Sequence, residues 1–467
     1  MIKKLNIRVP NNLKYTFSAQ VIVLIFSLLR SLILPKFLNL ESFGYWQVYM
    51  LYASYVGIFS LGFNDGIYLK YGKYNYDDLP QDKLRIAIKL FAIMIAMFTI
   101  ISCILSVFEK NTDRQFALLF SGLNIFVVGL YGVFSYVLQI TNRMKLYSLY
   151  SILDKILFII VMIVFIFYGY FGYKWFIIID LCSKILITIL LISSCKNLLF
   201  GKNISIKEGI LEFKDNIKVG IILMIASLMS MLTTGIGKII VENLGNIQEY
   251  AFYAFSISIT NFVILFVVSV SLALYPELKR LPEENYKRYF IKLEKIISIF
   301  MICSLFLYFP GYLFIIWFLP KYMPSLEYLN LLFGVVSFQI KISILNNTFY
   351  NVIREEKSML RHNMISVALF TILVLILFIT WNSLWIIAFF TFLTMLFRCY
   401  RSEIFLMNKM NIKMNYKLIL EIFTIILFII VTALLNIWMS LIVFVFVSII
   451  FFSLGYYKNI KSIIRKS

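Results

Sequence analysis

Charge is scarce in this sequence. Charged residues make up 14% of its 467 positions and hydrophobic residues 61%, whereas a soluble chain carries about a quarter charged residues. There is one histidine, His362, and the five cysteines (Cys103, Cys182, Cys195, Cys303 and Cys399) show no Cys-x-x-Cys spacing. That leaves no basis for a catalytic metal site or a Cys/His nucleophile pair, and the cysteines read as free thiols packed as small hydrophobes. Eight prolines and nineteen glycines exclude a collagen-like or low-complexity chain. No Walker A loop is present, so no cofactor is expected, and any energy input is left to an ion gradient (H⁺ or Na⁺) or to downstream consumption of a product.

What is present is a succession of apolar runs of about 20 residues, the length that crosses a hydrocarbon core. The polar breaks delimit fourteen: 16–38, 44–69, 86–108, 116–140, 149–169, 174–194, 217–241, 250–275, 295–319, 327–352, 364–381, 383–407, 417–436 and 438–457. Residues 1–15 are basic, but the run behind them exceeds a signal-peptide core, contains Arg30 and lacks a small-residue cleavage site, so it reads as the first span. The fold class is therefore all-α integral membrane, multi-pass. The tightest breaks, Trp381-Asn-Ser and Asn436-Ile-Trp-Met-Ser, decide the count.

Loop charge supplies the orientation, because Lys and Arg accumulate on the cytoplasmic side. With the N-terminus inside, alternate loops collect basic groups such as Lys3, Lys4 and Arg8, then Lys70 and Lys83, later Lys279, Arg280 and Lys287, and finally Arg465 and Lys466. The outer loops hold Lys110, Arg114, Lys174 and Lys321. Both termini are thus expected in the cytoplasm. The net charge of +21 is a topology signal together with attraction to anionic membrane lipids, with no basic domain to bind nucleic acid. The longest polar stretch, 195–216, is read as a cytoplasmic linker between two six-helix bundles, 1–194 and 217–407. Residues 408–467 add two helices and a basic tail. A weak echo accompanies this division: Phe37-Leu-Asn-Leu-Glu-Ser-Phe-Gly-Tyr-Trp and Asn243-Leu-Gly-Asn-Ile-Gln-Glu-Tyr-Ala-Phe-Tyr occupy corresponding turns. Two repeats related by an axis along the membrane normal are a transporter layout.

A charge at membrane depth costs about 2.5–3.5 kcal/mol on insertion scales and is a functional candidate by default. Lys36 and Lys89 lie near span ends, where they can snorkel. Lys155 adjoins Asp154, Lys184 follows Asp180 by one helical turn, and Arg398 lies near Glu403. Arg30, Lys238 (after Gly235-Ile-Gly) and Lys341 sit deeper, and Arg30 has no carboxylate within a turn. Each of these three either lines a shared cationic cavity suited to an anionic substrate or pairs with a distant carboxylate such as Asp65 or Asp180. Asp65, in Gly62-Phe-Asn-Asp-Gly, is either an ion-coupling group or a mark of helix unwinding. Asp180, Lys184 and Arg398 join it as secondary candidates.

The segment from Phe43-Gly-Tyr-Trp-Gln-Val-Tyr to Phe59-Ser-Leu-Gly-Phe-Asn-Asp-Gly-Ile-Tyr-Leu-Lys-Tyr-Gly resembles the start of bacterial polysaccharide flippases. These are the O-antigen and capsule repeat-unit translocases of the multidrug/oligosaccharidyl-lipid/polysaccharide exporter superfamily. The resemblance implies about fourteen helices in two bundles around a central cavity that opens alternately to the two faces of the bacterial cytoplasmic membrane. It implies a polyprenyl-pyrophosphate-linked oligosaccharide as substrate, the polysaccharide polymerase and assembly machinery as further partners, and cavity cations whose role maps by position onto Arg30, Lys238 and Lys341. A multidrug or cation antiporter of the same superfamily is the near rival, although deep basic residues outnumber deep acids here. A membrane polymerase of lipid-linked sugars is the enzymatic rival, but the outer loops of about ten residues or fewer leave little room for its chemistry.

Overall fold

A computed structural model describes residues 11–72, 74–201, 206–261, 278, 282–381, 383–413 and 417–464. The second half of the eighth expected span and the loop cations Lys3, Lys4, Arg8, Lys279, Arg280, Arg465 and Lys466 lie outside the described residues. Among those described the chain is helical, without strands. The helices are α1 (Asn11–Phe37), α2 (Leu40–Tyr55), α3 (Phe63–Tyr71), α4 (Gln81–Val107), α5 (Thr112–Ile140), α6 (Met144–Phe167), α7 (Tyr173–Ser194) and α8 (Ile206–Leu244). They continue with α9 (247–261), α10 (Tyr286–Leu305), α11 (Tyr308–Phe318), α12 (Leu326–Lys341), α13 (Asn347–Val352), α14 (Glu356–Trp381), α15 (Leu384–Lys409), α16 (Lys417–Leu434) and α17 (Ile437–Ile464). Eleven described helical segments are long and apolar enough to cross a membrane. Among the described residues, each of the fourteen expected spans meets helix at its position, and both tight breaks separate distinct helices.

Among the described residues three spans depart from single straight helices. The second is interrupted: α2 gives way to a 3₁₀ turn (Val56–Ser60), and Leu61 (φ 48°) and Gly62 (φ 82°) turn left-handed before α3 starts. Gly62 takes that conformation without strain, whereas Leu61 takes it at a cost because its Cβ crowds the backbone. The ninth span divides between α10 and α11, and the tenth carries a π turn (Ile342–Asn346) directly after Lys341. Such turns concentrate at functional positions.

Two compact units emerge, Arg8–Met231 and Leu232–Ser467. In the first, the core gathers Phe63, Ile67, Phe91, Phe134, Val137 and Leu191, with Phe63 stacked on Phe91 at 4.5 Å. Here α3 and α8 meet backbone to backbone. A Cβ on Gly66 would collide with the Asn216 carbonyl, and one on Gly220 with the Gly62 carbonyl, the small-residue logic of close crossings in membranes. Lys70 clamps the same crossing with Nζ 2.8 Å from both oxygens of Glu212, which also accepts from the Tyr71 hydroxyl at 2.5 Å. In the second unit α12 is the central helix, and 94% of its spanning window is buried in protein.

The echoed turns are helix caps. Asn39 accepts from the Ser42 N–H at 2.7 Å. Asn246 and Glu249 cap each other reciprocally, at 2.8 and 3.1 Å, a capping box. Arg30 precedes its cap by nine positions (39 − 30) and Lys238 by eight (246 − 238).

Candidate functional site

In the first unit the deep charges converge on Asp180 of α7. Its side chain is 3% exposed and faces two cations: Lys184 Nζ at 2.5 Å, one turn along the same helix, and Arg30 Nη1 at 3.4 Å from α1. The Tyr49 hydroxyl of α2 donates to Asp180 Oδ2 at 2.6 Å. Asn124 of α5 donates to Tyr49 Oη at 2.8 Å and accepts from Lys184 at 3.3 Å. Four helices therefore supply one network holding two cations against one carboxylate, a net charge of +1. Arg30 and Lys184 keep 18% and 19% of their side chains exposed, against 3% for Asp180. The guanidinium stands 5.9 Å from the ring of Trp46 and 5.4 Å from that of Phe158, distances at which an aromatic face stabilises a cation. Lys155 and Asp154 pair with each other at 2.5 Å on the neighbouring helix α6, as their adjacency suggested.

Asp65 is partly buried in the first turn of α3 and makes no ion pair among the described residues. The interruption before it lies beside a cavity of about 360 Å³ lined by Tyr52, Tyr55, Phe59, Ser102, Ser106 and Ser121 among others.

In the second unit Lys341 is fully enclosed. Its Nζ lies 2.7 Å from Glu403 Oε2 of α15 and 2.7 Å from Glu421 Oε2 of α16, all three side chains at 0% exposure. Glu421 further accepts from Tyr400 Oη at 3.1 Å and from the Ser298 hydroxyl. Sequence proximity paired Glu403 with Arg398, and the structure gives Glu403 to Lys341 instead. Arg398 is buried on α15. Lys238 is partly exposed on α8 and has no ion-pair partner among the described residues. Its neighbour Gly237 leaves room for the Tyr253 hydroxyl and Ile387.

The structure thus brings Arg30, Asp180 and Lys184 together in one unit and places Lys341 in a separate network of the other. Tyr49, Asn124, Glu421 and Ser298 were not anticipated. The signal available for two of them was an isolated polar residue inside an apolar span, Asn124 in 116–140 and Glu421 in 417–436.

No protein-family model and no curated protein matches the sequence. Solved structures do share its fold. The lipid II flippase MurJ in an inward closed conformation superposes with a TM-score of 0.69 at 16% identity, over 95% of this chain and 99% of that one. An outward-facing multidrug resistance MATE transporter of the MOP superfamily gives 0.55 at 14%, over 86% and 94%. A MOP-superfamily transporter from Pyrococcus furiosus gives 0.52 at 13%, over 85% and 94%. The chain is a multi-pass membrane protein with the fold of the MOP-superfamily transporters and flippases.

Proposed function

We propose that this protein is a flippase that carries a polyprenyl-pyrophosphate-linked oligosaccharide from the inner to the outer leaflet of a bacterial cytoplasmic membrane, for capsule, O-antigen or exopolysaccharide synthesis. The observation that carries the reading is the Asp180 network. Two cations at membrane depth share one carboxylate, with side chains partly exposed, an excess positive charge that a diphosphate would neutralise. Lys238 of α8 is a further candidate cation by its depth in the chain. Lys341 is closed off between two glutamates and stands apart from this network. A wet polar path is what a sugar headgroup needs to cross hydrocarbon, while the lipid tail stays in the bilayer.

The mechanism is alternating access. The headgroup enters from the inner leaflet, its diphosphate meets Arg30 and Lys184, and rocking of the two units exposes it outside. Both termini lie in the cytoplasm in this arrangement, the protein performs no covalent chemistry, and the exported units pass to a polymerase. The test is translocation by Arg30→Ala and Lys184→Ala variants whose insertion and abundance match the parent. Loss of flipping is expected, and undiminished flipping would overturn the reading. The drug-antiporter alternative is favoured by the likeness to MATE transporters. It calls instead for normal polysaccharide and altered sensitivity to cationic drugs when the protein is removed.

A further inference from the structure

The first unit carries a strip of tyrosines and hydroxyls that the cation site leaves unused. Asp65 and Tyr68 lie one turn apart on α3, and Tyr68 is 43% exposed. Helix α3 meets α5 through Asn64, whose amide fills the space a Cβ on Gly132 would take and donates to the Gly129 carbonyl at 3.4 Å. That approach sets Tyr68 against Tyr136 of α5, with ring centroids 5.2 Å apart. Asp65 and Tyr147 of α6 are the other ionisable neighbours of the Tyr136 hydroxyl. Tyr147 in turn joins Ser151 and Asp154 around Tyr131. Along α6, Tyr147, Ser151, Asp154 and Phe158 recur three or four positions apart, so they share one face over about 16 Å. The last of them, Phe158, stands 5.4 Å from the Arg30 guanidinium. The strip therefore leads from Asp65 and Tyr68, near the end of the second span, to the cations around Asp180.

A partly buried carboxylate within a span, with no ion pair among the described residues, does not face hydrocarbon, so this face of the unit meets water. Partly exposed tyrosines offer apolar ring faces to the C–H bonds of a pyranose, with hydroxyls at the rim that both donate and accept. Asp65 adds an acceptor for a pair of sugar hydroxyls. An organic cation also suits rings and a carboxylate, but the strip ends on a site of net charge +1, which repels a cation and attracts a diphosphate. Asp154, paired with Lys155 at 2.5 Å, adds no net charge along the way. We propose that this strip is the glycan subsite of the flippase, a reading that rests on the function proposed above. The diphosphate sits on Arg30 and Lys184, the linked sugars lie along α6 and α5, and the distal sugar is held between Tyr68 and Asp65. The Asp65 carboxylate makes the subsite selective for an uncharged distal sugar, because a uronic acid there would face a like charge.

The test is binding to the full chain in lipid nanodiscs of three probes: farnesyl diphosphate, the same lipid diphosphate carrying chitotriose, and the same carrying trigalacturonate. The readout is the ratio of affinities for the glycosylated and bare probes within one protein, which a loss of folded protein does not move. In the parent the chitotriose probe should bind about tenfold more tightly than the bare one, and the trigalacturonate probe should gain less. Tyr68→Leu, at an exposed position, should bring the chitotriose gain down toward one. Asp65→Asn, an isostere, should raise the trigalacturonate probe relative to the chitotriose probe. Equal binding of the bare and chitotriose probes by the parent, with both weakened in Arg30→Ala, would overturn the glycan subsite and leave the flippase reading standing. Failure of all three probes to bind would overturn both. A chitotriose gain that persists in Tyr68→Leu, together with an unchanged preference in Asp65→Asn, would also overturn the subsite.

Discussion

Replacing Asp180 by Asn tests the first unit's network while keeping its shape. At an effective dielectric constant of about 20, the attractions at 2.5 Å and 3.4 Å are about 7 and 5 kcal/mol before desolvation is set against them. Removing one partner of a buried ion pair costs about 3–5 kcal/mol net. Arg30 and Lys184 are 18% and 19% exposed and rehydrate in part, which puts the expected loss near the lower end, about 3 kcal/mol. Tyr49 keeps a carbonyl acceptor at the position, so the fold survives. The site charge rises from +1 to +2, and an anion no longer competes with a resident carboxylate. Unfolding of the full chain in nanodiscs, with and without inorganic pyrophosphate, reads both effects. Asp180→Asn should be less stable alone and should bind pyrophosphate at least tenfold more tightly, about 1.4 kcal/mol. Equal stability together with an unchanged pyrophosphate response would refute the reasoning.

Three further outcomes follow from other contacts. Gly220→Val places a side chain against the Gly62 carbonyl and should destabilise the α3–α8 crossing by about 1–3 kcal/mol or more, visible as reduced folded yield, whereas substitution at the open position Gly57 should be mild. Trp46→Ala, which removes a buried ring 5.9 Å from the Arg30 guanidinium, should destabilise the first unit by about 3–5 kcal/mol, whereas Trp46→Phe, which keeps an aromatic face, should cost less, both read as folded yield. Glu355, in the turn before α14, is held below the usual carboxylate range by the Lys409 ammonium 2.8 Å away and by Ser358. Its contribution is therefore present above the unfolded-state value and lost as pH falls through the lowered folded value. The stability difference between the parent and Glu355→Gln should accordingly be small at neutral pH and vanish in acid.

The helices were legible because membrane crossing imposes a length on every apolar run, and even the two narrow breaks at Trp381 and Asn436 were marked by their polar residues. The interruption at 56–62 was less so. Gly57, Gly62 and Gly66 marked a region of backbone freedom, but only the close approach of Gly220 and Asn216, far along the chain, explains why the helix breaks and packs there. Depth identified Arg30, Lys238 and Lys341 as unusual, and Asp180 was foreseen as a distant partner for such a cation. What sequence distance concealed was the sharing of that partner between Arg30 and Lys184, and the enclosure of Lys341 by Glu403 and Glu421 on two later helices. The burial of the tenth span is marked in the sequence by Ser337, Lys341, Asn346 and Thr348, polar side chains that a lipid-facing span would not carry.

The central claim is that the protein moves a lipid-linked oligosaccharide across the bilayer, and the most direct measurement is the leaflet distribution of polyprenyl-linked sugars in cells lacking the protein. The flippase reading requires complete repeat units to accumulate on the inner leaflet while external polysaccharide is lost. Complete units stranded on the outer leaflet, or polysaccharide produced at the normal level, would contradict it.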